Sequence, residues 1–273
     1  MIYLVCDSTA CLSQQEARGL QVIQVPMHYI RQGQSFEEGY TEPGNAPCLT
    51  AGAQLGDYST AQASMAQFAD VFARLLAKGH QALCLCISSR LSGTFLNASS
   101  AARQMGGDAV VVVDSRSTAG GLYLLLRRAR ALLDAGHSLQ ETAAALKALR
   151  YRQHTLFTTG NMDPLRRSGR LGMVRLSVSA FLNLRPVLRL ADGRVVSHVT
   201  ARGRSQQYRE LLGLIRQPEG PLVVQHCQDP EGAQTLATRL RQQGYQVLLR
   251  PLGTVLAIHL GTPCLSVAWV EEG

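Results

Sequence analysis

Hydroxyl groups cluster in four turns in the first half of the chain, beside predicted strands and helices. The turns are Asp7-Ser8-Thr9, Ser59-Thr60, Ser88 to Thr94 and Asp114 to Thr118. In an open parallel sheet, ligands bind beyond the carboxyl ends of the strands, where helix N-termini also offer free backbone N–H groups. Helix capping explains any single turn well. Several hydroxyl turns along one sheet edge instead favour a binding site for a small anion.

Catalysis by the same residues is the alternative hypothesis. The serines of the Ser88 to Thr94 turn do not lie in the G-x-S-x-G motif of hydrolases. Asp7 follows the first strand, as a phosphoryl-accepting aspartate would, but Thr9 stands where a second carboxylate could help to bind a metal ion. Three candidate bases have no local motif, namely His154, His226 and His259. A phosphotransferase or hydrolase that uses Asp7 and the hydroxyl turns therefore stays open.

No cofactor or metal site is indicated by the sequence. Neither G-x-G-x-x-G nor G-x-x-x-x-G-K-[ST] occurs, so nucleotide binding has no support from a motif. Of the seven cysteines, an odd number, four lie in apolar runs, namely Cys6, Cys84, Cys86 and Cys264. Cys84 and Cys86 lack the spacing of a zinc site, and no second Cys/His pair complements them. We expect reduced thiols that pack as small apolar side chains.

The charge balance is basic, with 27 Lys and Arg against 19 Asp and Glu and a formal net charge of +8. Basic proteins can bind nucleic acid, but these charges are dispersed and no aromatic residues are interleaved with them. The sequence starts with a strand rather than a signal peptide, and no apolar stretch reaches the ~20 residues of a membrane span. We expect a soluble cytoplasmic protein that binds no nucleic acid; a transient contact with a membrane is compatible with this.

Strands and helices alternate through most of the first half. Leu83 to Ile87 and Ala109 to Val113 are short apolar runs, typical of parallel strands that are buried on both faces. Helices between the strands begin with capping boxes, Ser64 with Gln67 and Ser138 with Glu141. A Gly turn after Met27 to Ile30 predicts a hairpin, and residues 39–56, together with the Ser59-Thr60 segment, are predicted to be loop.

The pattern changes after Tyr151. Asp192-Gly193 lies between two apolar segments and predicts an antiparallel hairpin. We therefore predict an α/β protein with two domains. Residues 1–152 would form a parallel α/β sheet domain, and residues 153–273 a mixed α/β layer domain.

Taken in chain order, these segments resemble the DegV family over almost the whole sequence. Asp7 to Ala10 is similar to that family's opening D-S-T-A-D, and Ile87 to Phe95 is close to its I-S-S-x-L-S-G-T-Y, the most specific element. Further similar segments are Thr60 to Ser64, Val113 to Ser115 with Gly120-Gly121, Leu165 to Leu171, Arg185 to Leu188 with Asp192-Gly193, and His259 to Gly261. The sequence departs from the family at Ala61, Ala63, Ser168 and Thr262-Pro263.

The resemblance implies a protein that binds a long-chain fatty acid in an apolar tunnel at the interface of the two domains, without performing chemistry on it. By position, Thr60 and Ser92 would hydrogen-bond the carboxyl group, and Arg170 and His259 would form a polar network beside it. Family members with this activity present the acid to a separate fatty acid kinase, which phosphorylates the carboxyl group. Arg202 matches a basic position for contact with that kinase.

The acyl chain and the carboxyl group would contribute differently to binding. About fifteen buried CH₂ groups at ~0.8 kcal/mol each would supply the affinity, and the hydroxyls would supply orientation. Arg170 favours the ionised acid and apolar walls favour the neutral one. The sequence leaves the ionisation state, the chain length and the oligomeric state open.

Overall fold

The structure is a computed structural model, and it describes residues 1–42, 49, 55–105, 107–160, 162–170 and 184–273. The strands are β1 (Ile2–Asp7), β2 (Val22–Val25), β3 (His28–Arg31), β4 (Gln34–Glu37), β5 (Tyr58–Ala61), β6 (Gln81–Cys86), β7 (Val110–Asp114), β8 (Gln153–Thr159), β9 (Leu184–Ala191), β10 (Arg194–Arg202), β11 (Leu222–Cys227), β12 (Val247–Pro251) and β13 (Cys264–Val270). The helices are α1 (Gln14–Gly19), α2 (Met65–Leu76), α3 (Thr94–Met105), α4 (Ala119–Asp134), α5 (Leu139–Leu149), α6 (Asp163–Ser168), α7 (Gly203–Leu214), α8 (Pro230–Gln242) and α9 (Thr254–Leu260).

The first sheet is parallel, with the strand order β2-β1-β6-β7. Its two central strands carry fully buried side chains on both faces, because α2 and α3 cover one face and α4 and α5 cover the other. This explains why the strands appear in the sequence as short apolar runs. The capping boxes predicted for α2 and α5 are both present, at Ser64 and Ser138.

The second sheet has the order β10-β9-β8-β13-β11-β12 and is antiparallel except for the pair β11 and β12. The predicted hairpin joins β9 to β10 through Asp192 and Gly193, both with positive φ angles, of 45° and 74°. Ser88 Oγ donates a hydrogen bond of 2.9 Å to the Gly193 carbonyl and occupies the space that a Cβ at Gly193 would need. The α/β fold with one parallel and one mixed sheet, as predicted from the sequence, is confirmed.

Helix α4 packs against strands of both large sheets and is buried along its first eight residues. Gly120 makes this close approach possible, since a Cβ there would lie 3.0 Å from both Ala268 Cβ and Val223 Cγ1. The second sheet begins with β8 at Gln153, at the predicted change of pattern. The division into domains at residues 152 and 153 stays a prediction.

A third, antiparallel sheet with the order β4-β3-β5 corrects one expectation. Ser59 and Thr60 were expected in a loop, but they lie in β5, where Thr60 pairs with Tyr29 of β3. The hairpin predicted after Met27 to Ile30 is present as β3 and β4. Strand β5 is short and its partner is the remote hairpin of β3 and β4, so its own sequence gives little signal. Most of the loop predicted over residues 39–56 lies outside the described residues, as does Leu171.

The described cysteines are buried and free, as expected of core thiols. The Cys84 and Cys86 sulfurs lie 3.6 Å apart without forming a disulfide. Cys48 lies outside the described residues.

Candidate functional site

An apolar cavity with a volume of about 310 Å³ is lined by residues from both halves of the chain. This volume is at the lower end of the roughly 300–1,000 Å³ that is usual for small-molecule sites. Its walls are mainly aliphatic and include Ile87, Phe157, Leu165, Leu190, Val195 and Leu256. The four predicted site residues, Thr60, Ser92, Arg170 and His259, all line this cavity. The fold therefore brings together residues that are far apart in the sequence.

Thr60 and His259 form a direct contact at the cavity wall. Thr60 Oγ1 lies 2.7 Å from His259 Nε2, which joins β5 of the third sheet to the last turn of α9. Both residues are half-buried. Burial, together with the positive charge of Arg170, lowers the pKa of His259 from 6.5 to about 4. The imidazole is therefore neutral near pH 7 and acts as a hydrogen-bonding partner rather than as a cation.

Helix α9, which carries His259, is held at its start by a buried carboxyl group. Glu38 accepts a hydrogen bond from the Val255 backbone N–H at 2.8 Å and another from Ser8 Oγ at 2.6 Å. Burial, together with the nearby Asp7 carboxylate, raises the pKa of Glu38 from 4.5 to about 7, although the hydrogen bonds from Ser8 and Val255 oppose the rise. Sequence reasoning missed Glu38, because nothing around it marks a buried residue.

Ser92 lies in the turn between β6 and α3 and is half-buried. Its Oγ lies 2.9 Å from Thr94 Oγ1. It also accepts a hydrogen bond of 3.3 Å from the backbone N–H of Thr94, the first residue of α3. The next residue, Gly93, packs against the side chain of Gln62, which fills the place of a Cβ there. Since Gln62 follows Thr60 by two residues, this contact holds the Ser92 turn against the segment that carries Thr60.

Arg170 is exposed and follows the αL residue Gly169, which ends α6. Its Nε donates a hydrogen bond of 3.4 Å to the Leu91 carbonyl, next to Ser92, and its guanidinium also contacts the Ser168 carbonyl. Thr60, Arg170 and His259 also line an adjoining cleft of about 330 Å³. These three side chains therefore lie at the boundary between the apolar cavity and the cleft.

The Asp7 turn has a different environment. Asp7 is fully buried and accepts hydrogen bonds from the Thr9 backbone N–H at 3.0 Å, from Thr9 Oγ1 at 2.5 Å and from the Ile87 backbone N–H at 2.6 Å. Burial raises its pKa. Asp7 is not among the residues that line the cavity, and no cluster of potential metal ligands occurs in the described parts of the chain. This geometry is that of a structural carboxylate.

The remaining predicted residues lie outside the cavity wall as far as the structure describes it. His154 Nε2 lies 2.8 Å from a Glu271 carboxylate oxygen, and its ring stacks on Trp269. His226 is half-buried on β11. Arg202 is exposed at the end of β10, immediately before α7. Of the three histidines, only His259 contributes to the site.

Comparison with known proteins agrees with the fold. A family model described as "Uncharacterised protein, DegV family" matches residues 1–272. The chain belongs to the DegV family. A DegV domain-containing protein of Deinococcus radiodurans is 33% identical over 280 residues, which cover 98% of this chain and 97% of that protein. The resemblance inferred from the sequence is thereby confirmed.

Solved DegV structures have the same fold. A DegV family protein from Thermus thermophilus, described as binding fatty acid, is 29% identical and superimposes with a TM-score of 0.89 over 98% of this chain and 99% of that one. A DegV lipid-binding protein from Thermotoga maritima is 23% identical, with a TM-score of 0.87 over 99% of both chains, and supports the fold alone. Among the described helices, none is both long and apolar enough to cross a membrane.

Proposed function

We propose that this DegV protein binds a long-chain fatty acid, with the acyl chain in the apolar cavity and the carboxyl group between Thr60 and Ser92. The observation that carries the proposal is the Thr60 and His259 pair at the boundary of an apolar cavity that Ser92 also lines. The Thermus thermophilus relative, described as binding fatty acid, supports the same ligand class. The mainly aliphatic wall of the cavity suits an alkyl chain, which gains about 0.8 kcal/mol per buried CH₂ group.

His259 would set the hydrogen-bonding role of Thr60. With a pKa of about 4 the imidazole is neutral, so Nε2 either donates to Thr60 Oγ1 or accepts from it. We assign the tautomer in which Nε2–H donates, because it leaves the Thr60 O–H free to donate to a carboxylate oxygen. His259 then orients the binding group without contacting the ligand's charge.

The bound acid would be ionised in this arrangement. Thr60 and Ser92 both have O–H groups to donate, and a carboxylate accepts such bonds at both oxygens. Arg170, at the boundary with the cleft, adds a positive charge that favours the carboxylate. The apolar cavity would then contact only the alkyl chain, which avoids burying an unpaired charge.

We further propose that the chain is a carrier and performs no chemistry alone. In the proposed arrangement the carboxyl group faces the polar cleft, so an active site of a second protein could reach it from there. The family resemblance points to a fatty acid kinase as that protein, which would transfer a phosphoryl group to the carboxylate. Arg202 is exposed and remains the proposed contact for that kinase.

Ligand extraction tests the proposal directly. Organic extraction of the purified protein, followed by mass spectrometry, is expected to yield close to one fatty acid per chain, and delipidated protein is expected to take up added palmitate. The matched control is Thr142→Val, which removes a buried hydroxyl on α5 away from the cavity and should leave uptake unchanged. Absence of both co-purified lipid and palmitate uptake, in a folded protein, would overturn the proposal.

A further inference from the structure

The wall of the apolar cavity carries three hydroxyl groups that carboxyl binding does not use. Thr118, Thr155 and Ser266, here called the inner hydroxyls, line the cavity. Unlike Thr60, Arg170 and His259, none of them lines the adjoining cleft, as far as the described chain shows. Thr155 and Ser266 are only 3% and 4% exposed. The inner hydroxyls therefore face the part of the cavity that would hold the alkyl chain.

The positions of the inner hydroxyls follow from strand pairing and from the start of α4. Ser266 of β13 pairs with Phe157 of β8, and Thr155 lies two residues from Phe157, so the three side chains share one face of the second sheet. Thr118 immediately precedes α4. Its neighbour Ser117 lies 3.5 Å from Thr155, measured between Oγ and Oγ1. This contact holds the start of α4, and with it Thr118, against the same face.

Among the inner hydroxyls, the Thr118 hydroxyl makes no hydrogen bond with the described residues. A threonine at the residue before a helix usually caps it, but the Thr118 side chain makes no capping bond. Its Oγ1 is buried and has no hydrogen-bond partner among the described residues. An alkyl chain beside this oxygen would leave it unpaired, which is unfavourable for a buried hydroxyl. A polar group at that point of the ligand would pair with it.

We propose that the cavity selects a long-chain fatty acid with a hydroxyl group along its chain, which Thr118 binds together with Thr155 and Ser266. The inference rests on the proposed function, because it specifies the acid that the cavity would take. A ligand hydroxyl donates and accepts at once, so it can bond Thr118 and a second inner hydroxyl. Thr155 Oγ1 already accepts a bond of 2.8 Å from Gln153 Nε2 and lies 3.5 Å from Ser117 Oγ, so Thr118 Oγ1 is the main partner for a ligand hydroxyl. A site built around buried hydroxyls discriminates against the analogue that lacks the polar group.

Matched ligands and matched variants test this selection. The dissociation constants of stearate, 10-hydroxystearate and 12-hydroxystearate would be measured by calorimetry for the delipidated wild type, Thr118→Val, Ser266→Ala and the control Thr142→Val. Thr142 Oγ1 is likewise buried and unpartnered among the described residues, but it lies on α5 outside the cavity wall. We expect at least one hydroxystearate to bind the wild type and the control about five-fold more tightly than stearate, as one added buried hydrogen bond predicts. In Thr118→Val this preference should disappear while stearate still binds, and Ser266→Ala should reduce it.

The remaining outcomes separate the two proposals. If the wild type binds stearate at least as tightly as both hydroxystearates, or if Thr118→Val keeps the preference, the inference about the inner hydroxyls is wrong while fatty acid binding stands. If no acid binds to the folded wild type, the proposed function itself fails. Stearate binding by Thr118→Val shows at the same time that this variant is folded.

Discussion

Two polar regions of this molecule both carry Ser and Thr hydroxyls, but one region is buried and the other borders a cavity. The Asp7 turn, formed by Asp7, Ser8 and Thr9 with Glu38, is fully buried or nearly so, and its carboxylates accept their hydrogen bonds within the protein. The carboxyl site, formed by Thr60, Ser92, Arg170 and His259, borders a cavity and is at most half-buried. Both regions contain one serine and one threonine hydroxyl, Ser8 and Thr9 in the first and Ser92 and Thr60 in the second.

The two regions differ in whether a ligand can reach them and in whether they keep a hydrogen-bond donor free for it. A buried carboxylate such as Asp7 that accepts three hydrogen bonds stabilises the turn and has no room for a substrate. The Thr60 hydroxyl faces a cavity and keeps a free donor in the proposed tautomer. Substitutions in the Asp7 turn should therefore change the stability of the fold, and substitutions in the carboxyl site should change ligand binding.

The largest effect on stability is expected for Asp7→Ala. The substitution leaves the Thr9 backbone N–H, the Thr9 hydroxyl and the Ile87 backbone N–H without their acceptor, so the free energy of unfolding should fall by on the order of 4 kcal/mol. Thr60→Val, the matched change in the carboxyl site, should lower it by less than about 1 kcal/mol. Urea denaturation followed by circular dichroism measures both. Equal destabilisation by the two variants would contradict the claim that the Asp7 turn stabilises the fold more than the carboxyl site does.

Glu38 should make the stability of the Asp7 turn depend on pH. Its pKa of about 7 in the folded protein is above the ordinary 4.5, so the unfolded chain loses this proton first as the pH rises. The contribution of Glu38 is therefore fully present below about pH 4.5 and is lost by about pH 7, an amount on the order of 3 kcal/mol. The measurement is the difference in unfolding free energy between the wild type and Glu38→Gln across this range. A difference that stays constant with pH, or grows in favour of the wild type as pH rises, would contradict the assignment.

The carboxyl site should respond in binding rather than in stability. Thr60→Val combined with Ser92→Ala removes both proposed donors to the carboxylate, so palmitate affinity should fall by on the order of 100-fold, or about 2.7 kcal/mol. Calorimetric titration of delipidated protein checks this, with Thr142→Val as control and the thermal midpoint as evidence of folding. Unchanged affinity in the folded double variant would place the carboxyl group elsewhere.

The smallest effect is expected for Arg170→Gln. Arg170 is exposed at the boundary with the cleft, so solvent and salt screen its charge. Palmitate affinity should fall about two- to three-fold at low ionic strength, and the difference should vanish in high salt. A loss as large as that of the double variant, independent of salt, would show that Arg170 binds the carboxylate directly.

Local signals in the sequence predicted much of the fold. Some features depend only on neighbours within four residues, so the local sequence is sufficient to predict them. These are the capping boxes at Ser64 and Ser138 and the hairpin turn at Asp192-Gly193. Strand β5 was missed, because its pairing comes from a hairpin about thirty residues earlier in the chain, with Thr60 opposite Tyr29. The parallel strands were found because burial on both faces leaves a continuous apolar run.

The site depends on contacts that no local pattern contains. Thr60 and His259 are 199 positions apart, and only the resemblance to a family placed them together. The inner hydroxyls could not be predicted at all, since Ser266 shares a face with Thr155 only through the pairing of β8 with β13. Glu38 was missed for a similar reason, because its burial comes from α9, more than two hundred residues later.

A crystal structure of the protein with bound palmitate would show directly where the carboxyl group is held. We expect one carboxylate within hydrogen-bonding distance, about 3 Å, of both Thr60 Oγ1 and Ser92 Oγ, with the alkyl chain along the wall formed by Phe157 and Leu256. A palmitate whose carboxylate lies elsewhere, or side chains of Thr60 and Ser92 that face different spaces, would contradict it.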